Sequence, residues 1–304
     1  MELDRRRFLQ VCGLAAGSMA LPSGIACAAP PQAATGQRKA MLVDLTRCIG
    51  CGWCQEACRE CNDLCQEDGA QATVESQDAC LSAETWTFPQ MYEVEQDGRT
   101  HRIFVKRQCM HCENPACVSA CPVGALQKLE NGAVVYDCTR CIGCRYCMVA
   151  CPFSVPKFEW DERLPRIRKC TFCADRQADG LAPACAEACP AGALTFGERE
   201  ALIAEAQRRI ETDPDRYFHH IYGQDELGGT SWLYLSPVPF ELIDFPKLES
   251  EPVTTLSEAV ATYGTAGVAT SVSLLLGGLY YWFNGRRQPP RLDSSTQDKE
   301  EADR

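Results

Sequence analysis

The sequence is short of histidine and of positive charge. Only His101, His111, His219 and His220 occur in 304 residues, and 30 lysines and arginines face 41 aspartates and glutamates, giving a formal net charge of −11. A chain so acidic lacks the clustered cations that hold phosphate backbones, which excludes nucleic acid as a partner. The four histidines read as satisfied surface or core residues, not as ligands. There is no C-x-x-C-H, which removes covalent haem. There is also no phosphate loop, no molybdopterin motif and no nucleophile with a base at hand, so no substrate chemistry is expected of the chain itself.

What the chain has in excess is cysteine, 22 residues in all. Most of them fall into an internal repeat. Thr46-Arg47-Cys48-Ile49-Gly50-Cys51 recurs as Thr139-Arg140-Cys141-Ile142-Gly143-Cys144, and each continues to a third cysteine (Cys54, Cys147) and a fourth (Cys58, Cys151). A second motif comprises Cys109, Cys112, Cys117 and Cys121, echoed by Cys170, Cys173, Cys185 and Cys189. Cys121-Pro122-Val123-Gly124-Ala125-Leu126 matches Cys189-Pro190-Ala191-Gly192-Ala193-Leu194. The order along the chain is A, B, A′, B′.

The spacing carries chemistry. In C-x2-C-x2-C-x3-C-P, soft thiolates wrap one iron–sulfur cubane with three cysteines while the fourth reaches the next cluster. Cys141, Cys144, Cys147 and Cys151-Pro152 fit completely; Cys48, Cys51, Cys54 and Cys58 fit except that Arg59 replaces the proline. The B motifs widen the gap, to x4 before Cys117 and x11 before Cys185, and keep the terminal C-x3-C-P. Sixteen cysteines in four sets imply four [4Fe–4S] clusters. A disulfide framework fits poorly, because dense C-x2-C-x2-C runs place neighbours badly for mutual bridging. Zinc sites would use paired C-x2-C without the x3-C-P tail. Cys61, Cys65, Cys80 and Cys138 remain outside the sets. One or two disulfides in the polar insertion from Arg59 to Thr100 are expected of them. Cys138, whose place in the first copy is Leu45, is kept as a further candidate cofactor-binding residue.

Both ends speak of export. Asp4-Arg5-Arg6-Arg7-Phe8-Leu9-Gln10, a weakly apolar run to Leu21 and Ala26-Cys27-Ala28-Ala29 read as a twin-arginine signal over residues 1–28 with an A-x-A cleavage site. Cys12 and Cys27 fall within it and are not ligands. No charged residue occurs between Glu258 and Arg286, a stretch long enough to span about 30 Å of hydrocarbon. Tyr280, Tyr281, Trp282 and Phe283 sit where an interfacial belt would, and Arg286-Arg287 mark the cytoplasmic end by the positive-inside rule. The protein is thus expected on the periplasmic face of the inner membrane, with its C-terminus cytoplasmic.

Short β-prone segments flank the motifs: Ala40–Val43, Ile103–Val105, Ala133–Tyr136 and Leu194–Phe196. Asn131-Gly132 and Asp97-Gly98 each stand between two such segments and predict tight hairpins. A helix is expected over about Glu198–Glu211, with Leu202, Ala206 and Ile210 on one face.

With the motif set, the Cys170-Thr171-Phe172-Cys173 to Pro183-Ala184-Cys185 stretch and Gly228–Leu235, the chain resembles the iron–sulfur subunits of exported respiratory oxidoreductases. These serve hydrogenase-2, formate dehydrogenase, nitrite reductase and dimethyl sulfoxide reductase. The resemblance implies that Cys48, Cys51 and Cys54 bind one cluster with Cys189, and Cys170, Cys173 and Cys185 another with Cys58. It implies likewise that Cys109, Cys112 and Cys117 join Cys151, and Cys141, Cys144 and Cys147 join Cys121. Spacing alone leaves open the pairing of adjacent motifs. An own export signal with a C-terminal membrane helix most resembles the hydrogenase type.

The expected fold is α+β. Two fused ferredoxin-like units occupy 39–197, an extension of 198–257 packs on them, a transmembrane helix spans 258–285 and a cytoplasmic tail covers 286–304. The expected function is an electron relay between a nickel–iron hydrogenase and a membrane quinone-reactive subunit. The alternatives are the β subunit of a formate dehydrogenase or related molybdenum enzyme, and a tethered ferredoxin-type shuttle.

Overall fold

The computed structural model describes residues 38–64, 80–96, 98–259 and 263–285. The expected export signal, the expected tail, Cys12, Cys27 and Cys65 lie outside the described residues. Helices and mostly antiparallel strands are mixed along the chain, which divides into two units, Met1–Pro252 and Val253–Arg304.

The first unit is organised by a strand buried on both faces. Strand β1 (Lys39–Asp44) lies between β8 (Leu194–Glu198), antiparallel with Met41 opposite Phe196, and β9 (Trp232–Leu235), parallel with Leu42 opposite Leu233. A strand covered on both sides reads as a continuous apolar run, as Ala40-Met41-Leu42-Val43 does. Side chains alternate across it. Met41, Val43, Trp232 and Tyr234 enter a core shared with Phe172, Cys185, Cys54 and Cys112, the cysteine-loop side. Ala40, Leu42, Leu233 and Leu235 face Leu202, Ile203, Ala206 and Tyr217 on the other. Three of those residues belong to the helix Arg199–Thr212, which begins one residue after the expected position and buries the expected face.

Both expected hairpins form. Strands β2 (Phe88–Gln96) and β3 (Arg99–Arg107) pair with Gln96 opposite Arg99, and β4 (Leu126–Lys128) pairs with β5 (Val134–Tyr136) around Asn131-Gly132. A further small pair, β6 (Lys157–Phe158) with β7 (Ile167–Arg168), follows the third motif.

Short helices end the cysteine loops: α1 (Trp53–Cys61), α2 (Ala116–Ser119), α3 (Tyr146–Ala150), α4 (Ala174–Ala178) and α5 (Ala184–Glu187), ahead of α6 (Arg199–Thr212). Helices α2, α3 and α5 stop before Cys121-Pro122, Cys151-Pro152 and Cys189-Pro190, since proline has no N–H to give and disfavours helical backbone in the residue before it. Helix α1 meets Arg59 instead of proline and continues through Cys58 to Cys61.

In the second unit, α7 (Thr254–Ala259) precedes α8 (Thr265–Gly285). Within α8, Ala266–Asn284 is a 19-residue stretch of mean hydropathy 1.3, the one helix among the described residues long and apolar enough to cross a membrane.

Candidate metal centres

The opening C-x2-C loop of each motif turns through a left-handed residue just before its second cysteine: Gly50 (φ 68°), His111 (49°), Gly143 (69°) and Phe172 (59°). At Gly50 no other residue fits, because a Cβ there would lie 2.4 Å from the Phe104 ring. His111 and Phe172 carry the same backbone strain with a side chain attached, and both rings are buried and stacked on one another, centroids 5.1 Å apart.

These turns gather the sixteen cysteines into four groups. Cys48, Cys51, Cys54 and Cys189 line one cavity of about 410 Å³, part of it open to solvent. Cys58, Cys170, Cys173 and Cys185 line a second of about 310 Å³, together with Trp232. Cys112 has Cys109, Cys117 and Cys151 as its charge neighbours, and Cys147 has Cys121, Cys141 and Cys144. We refer to these as the first to fourth sets. They form a row: Cys54 interacts with Cys185, Cys170 with Cys109, and Cys117 with Cys147.

Burial dominates the electrostatics. Loss of water, helped by neighbouring thiols, pushes Cys54, Cys58 and Cys117 up to about 12 and Cys147 and Cys173 to about 11. Cys112 and Cys170 are driven further up by the same cause. Cys121 is the exception. It is partly desolvated, yet the backbone N–H groups of Leu126, Val123, Ala125 and Gly124 pull it down. Backbone N–H groups also reach Cys121 Sγ (Ala125, 3.2 Å), Cys170 Sγ (Phe172, 3.3 Å) and Cys141 Sγ (Gly143, 3.4 Å).

Thiols crowded together with raised proton affinity, yet supplied with N–H donors, suit a cofactor that takes them as thiolates. Among the described residues, no three cysteine, histidine or carboxylate side chains converge closely enough for a single ion. A mononuclear tetrahedral site has metal–sulfur bonds of about 2.3 Å and needs tighter convergence. A cubane, with one thiolate on each iron at its corners, takes its ligands from further apart. The all-sulfur donor sets fit such a group.

Residues 100–199 match the 4Fe–4S dicluster domain family. The hydrogenase-2 operon protein HybA of Escherichia coli O157:H7 is 36% identical over 309 residues, covering 90% of this chain and 93% of HybA. The nitrate-inducible formate dehydrogenase iron–sulfur subunit of Escherichia coli K12 is 40% identical over 199 residues, covering 64% of this chain and 67% of that subunit. The chain belongs to the iron–sulfur subunit family of HybA and the formate dehydrogenases. A protein of Nitratidesulfovibrio vulgaris is 42% identical over 292 residues, or 91% of this chain and 76% of that protein.

For a member of this iron–sulfur family, several residues outside the motifs stand out. Cys61, Cys80 and Cys138 are exposed and unbridged. Because α1 runs past Cys58, Cys61 comes round one turn later and its sulfur touches the Cys173 thiol. His111 corrects the expectation of satisfied histidines: Nδ1 accepts from the Val134 N–H at 2.8 Å, but Nε2 is buried without a partner among the described residues. Burial and the charges of Lys169, Lys128 and Lys106 hold His111 neutral, its pKa well below the ordinary value. Lys106, Lys128 and Lys169, close to the cysteine sets and absent from the reading of the motifs, are buried or nearly so. Nothing in a single sequence separates them from surface lysines.

Proposed function

We propose that this protein is an electron relay holding four [4Fe–4S] clusters on two fused ferredoxin-like units. In this reading Cys48, Cys51, Cys54 and Cys189 hold the first cluster and Cys58, Cys170, Cys173 and Cys185 the second. Cys109, Cys112, Cys117 and Cys151 hold the third, and Cys121, Cys141, Cys144 and Cys147 the fourth. The observation that carries it is the row of four all-thiol sets, two of them each lining one cavity with all four members. Bound there, the clusters supply one-electron chemistry with little rearrangement. The chain's part is to keep water from Cys54, Cys58, Cys112, Cys117 and Cys170, and to offer backbone N–H groups to Cys121, Cys141 and Cys170.

The family supports a choice of partners. The similarity to HybA extends over 90% of the chain, well past the cysteine region, whereas that to the formate dehydrogenase subunit covers 64%. We therefore place the relay between a periplasmic nickel–iron hydrogenase and a membrane quinone-reactive subunit, anchored by α8 on the periplasmic face after twin-arginine export. The 40% identity to the formate dehydrogenase subunit over 199 residues supports a molybdenum-enzyme partner as the second reading.

The test is anaerobic purification of the full chain from membranes in mild detergent. About sixteen iron and sixteen sulfide per chain, paramagnetic signals on reduction and co-purification of a nickel–iron subunit are expected. A molybdenum subunit in its place selects the second reading. A chain that comes away alone is a shuttle, and one with its cysteines oxidised to cystine overturns the relay.

A further inference from the structure

One side chain belongs to two of the thiol sets at once. Lys106, on β3, is 3% exposed and lines both the cavity of the first set and that of the second. Its ammonium donates to Thr87 Oγ1 at 2.6 Å and Gln108 Oε1 at 3.1 Å, and stands 4.5 Å from the centre of the Trp232 ring. Those acceptors are neutral. Among the described residues no carboxylate pairs with it, whereas the partly buried Lys128 has Glu113 at 3.6 Å. A buried ammonium without a counter-charge is costly, so negative charge must come from elsewhere. The groups that face it are the thiols of Cys185, Cys54 and Cys170 and the Tyr234 hydroxyl.

The other sets are served differently. Lys169 donates to the carbonyls of Val134 and Cys170, and its charge is felt by Cys117 and Cys151 of the third set. Around Cys147 of the fourth set the acting groups are Cys121, Cys141 and Cys144 and the backbone, with no buried cation among them. Arg140 and Arg145 beside that set are exposed, where water screens them.

We propose that Lys106 is a shared potential-setting residue: one buried ammonium that raises the reduction potentials of the first and second clusters together and leaves the fourth untouched. This rests on reading the thiol sets as [4Fe–4S] sites. A four-thiolate cubane is net negative and gains one more negative charge when it takes an electron, so a fixed cation beside it favours the reduced form. The electron is the only particle transferred; Lys106 keeps its protons and makes no bond. Because the cation lies between two sets, its removal must move two midpoints and not one, which separates this role from general support of the fold.

The experiment is a potentiometric titration followed by paramagnetic resonance, on the full chain purified anaerobically with its partners. Signals are assigned with Cys51→Ser for the first set and Cys173→Ser for the second. Lys106→Met is expected to weaken reduction of both clusters at least tenfold, which is 59 mV for a one-electron couple, with the fourth moving less than threefold. Lys106→Arg keeps the charge and is expected to keep both midpoints within threefold. Gln108→Glu, which sets a carboxylate against the ammonium while retaining the stem, is expected to lower the same two midpoints. It decides the matter should Lys106→Met fail to hold iron. Unmoved midpoints in iron-replete Lys106→Met or Gln108→Glu protein, or equal shifts in all four clusters, overturn the proposal. Absence of cluster signals from the unaltered protein would instead sink the relay itself.

Discussion

Asp44 and Asp137 stand at the same place in the two copies of the repeat, four residues before the first cysteine of each run. Both make the same local turn. Asp44 accepts from the Thr46 N–H at 3.1 Å and hydroxyl at 2.6 Å, and Asp137 from the Thr139 N–H at 2.9 Å and hydroxyl at 2.6 Å. Beyond that they part. Asp44 is fully buried and also binds the Tyr217 hydroxyl at 3.0 Å, Arg209 Nη1 at 3.1 Å and Arg47 Nε at 3.2 Å. Asp137 is only partly buried, beside Arg140 at 3.3 Å. Tyr217 and Arg209 come from the segment after the fourth motif. That extension covers the aspartate of the first copy and leaves the aspartate of the second near the surface, whereas further along the runs the matched Ile49 and Ile142, and Trp53 and Tyr146, are exposed in both. The local motif sets the turn; whatever packs over it decides how much the turn is worth.

The largest expected consequence is at the aspartates. Asp44→Ala leaves the buried Tyr217 hydroxyl without its acceptor and takes one of two carboxylates from Arg209, which keeps Glu205 at 2.8 Å, and is expected to cost about 3 kcal/mol. Asp137→Ala, at a solvated site, is expected to leave stability nearly unchanged. Urea denaturation of both variants in the cluster-loaded state checks this, and equal losses would break the comparison.

A smaller contrast concerns the glycines of the same two runs. Gly50 and Gly143 share a left-handed φ, 68° and 69°, so alanine carries a backbone strain of about 1–2 kcal/mol at either place. Only at Gly50 does the added carbon strike a ring, Phe104 at 2.4 Å, whereas at Gly143 the nearest atom of Phe158 is 3.9 Å away. Gly50→Ala is therefore expected to exceed Gly143→Ala by about 1–3 kcal/mol and to erode the first cluster's signal selectively. Matching effects would mean that the Phe104 ring gives way.

What could be read in advance divides along the same line. The cysteine runs and the two hairpins are local patterns, spelled by thiol spacing and by Asn131-Gly132 and Asp97-Gly98, and the hairpins stand where those residues put them. The apolar face of α6 was legible because helical periodicity is local too. Strand β9 was not: its pairing with β1 spans almost the whole domain, and Trp232-Leu233-Tyr234-Leu235 shows no alternation because both faces are covered. Lys106 escaped notice for a related reason. Its neighbours in sequence, Val105 and Arg107, say nothing of the sulfurs that face it from three distant loops.

The smallest expected effect tests the two cysteines in which the copies differ most. Cys138 takes the place held by buried Leu45, and it is exposed; Cys61 exists as a helical residue only because Arg59 stands where the second copy has Pro152. Cys61 touches Cys173, which already shares its cavity with Cys58, Cys170 and Cys185, so a cubane with four corners has no iron left for it. Cys138 has no such set around it: the charge neighbours of Cys147 are Cys121, Cys141 and Cys144. Cys61→Ser and Cys138→Ser are therefore each expected to keep iron and sulfide at the level of the unaltered chain, measured on protein purified without oxygen. A drop of about four irons in either variant would make that cysteine a ligand and displace one member of the set beside it. The position of Arg59 would then read as a device for presenting a fifth thiol, and the departure of the first copy from the C-x3-C-P pattern would count as functional.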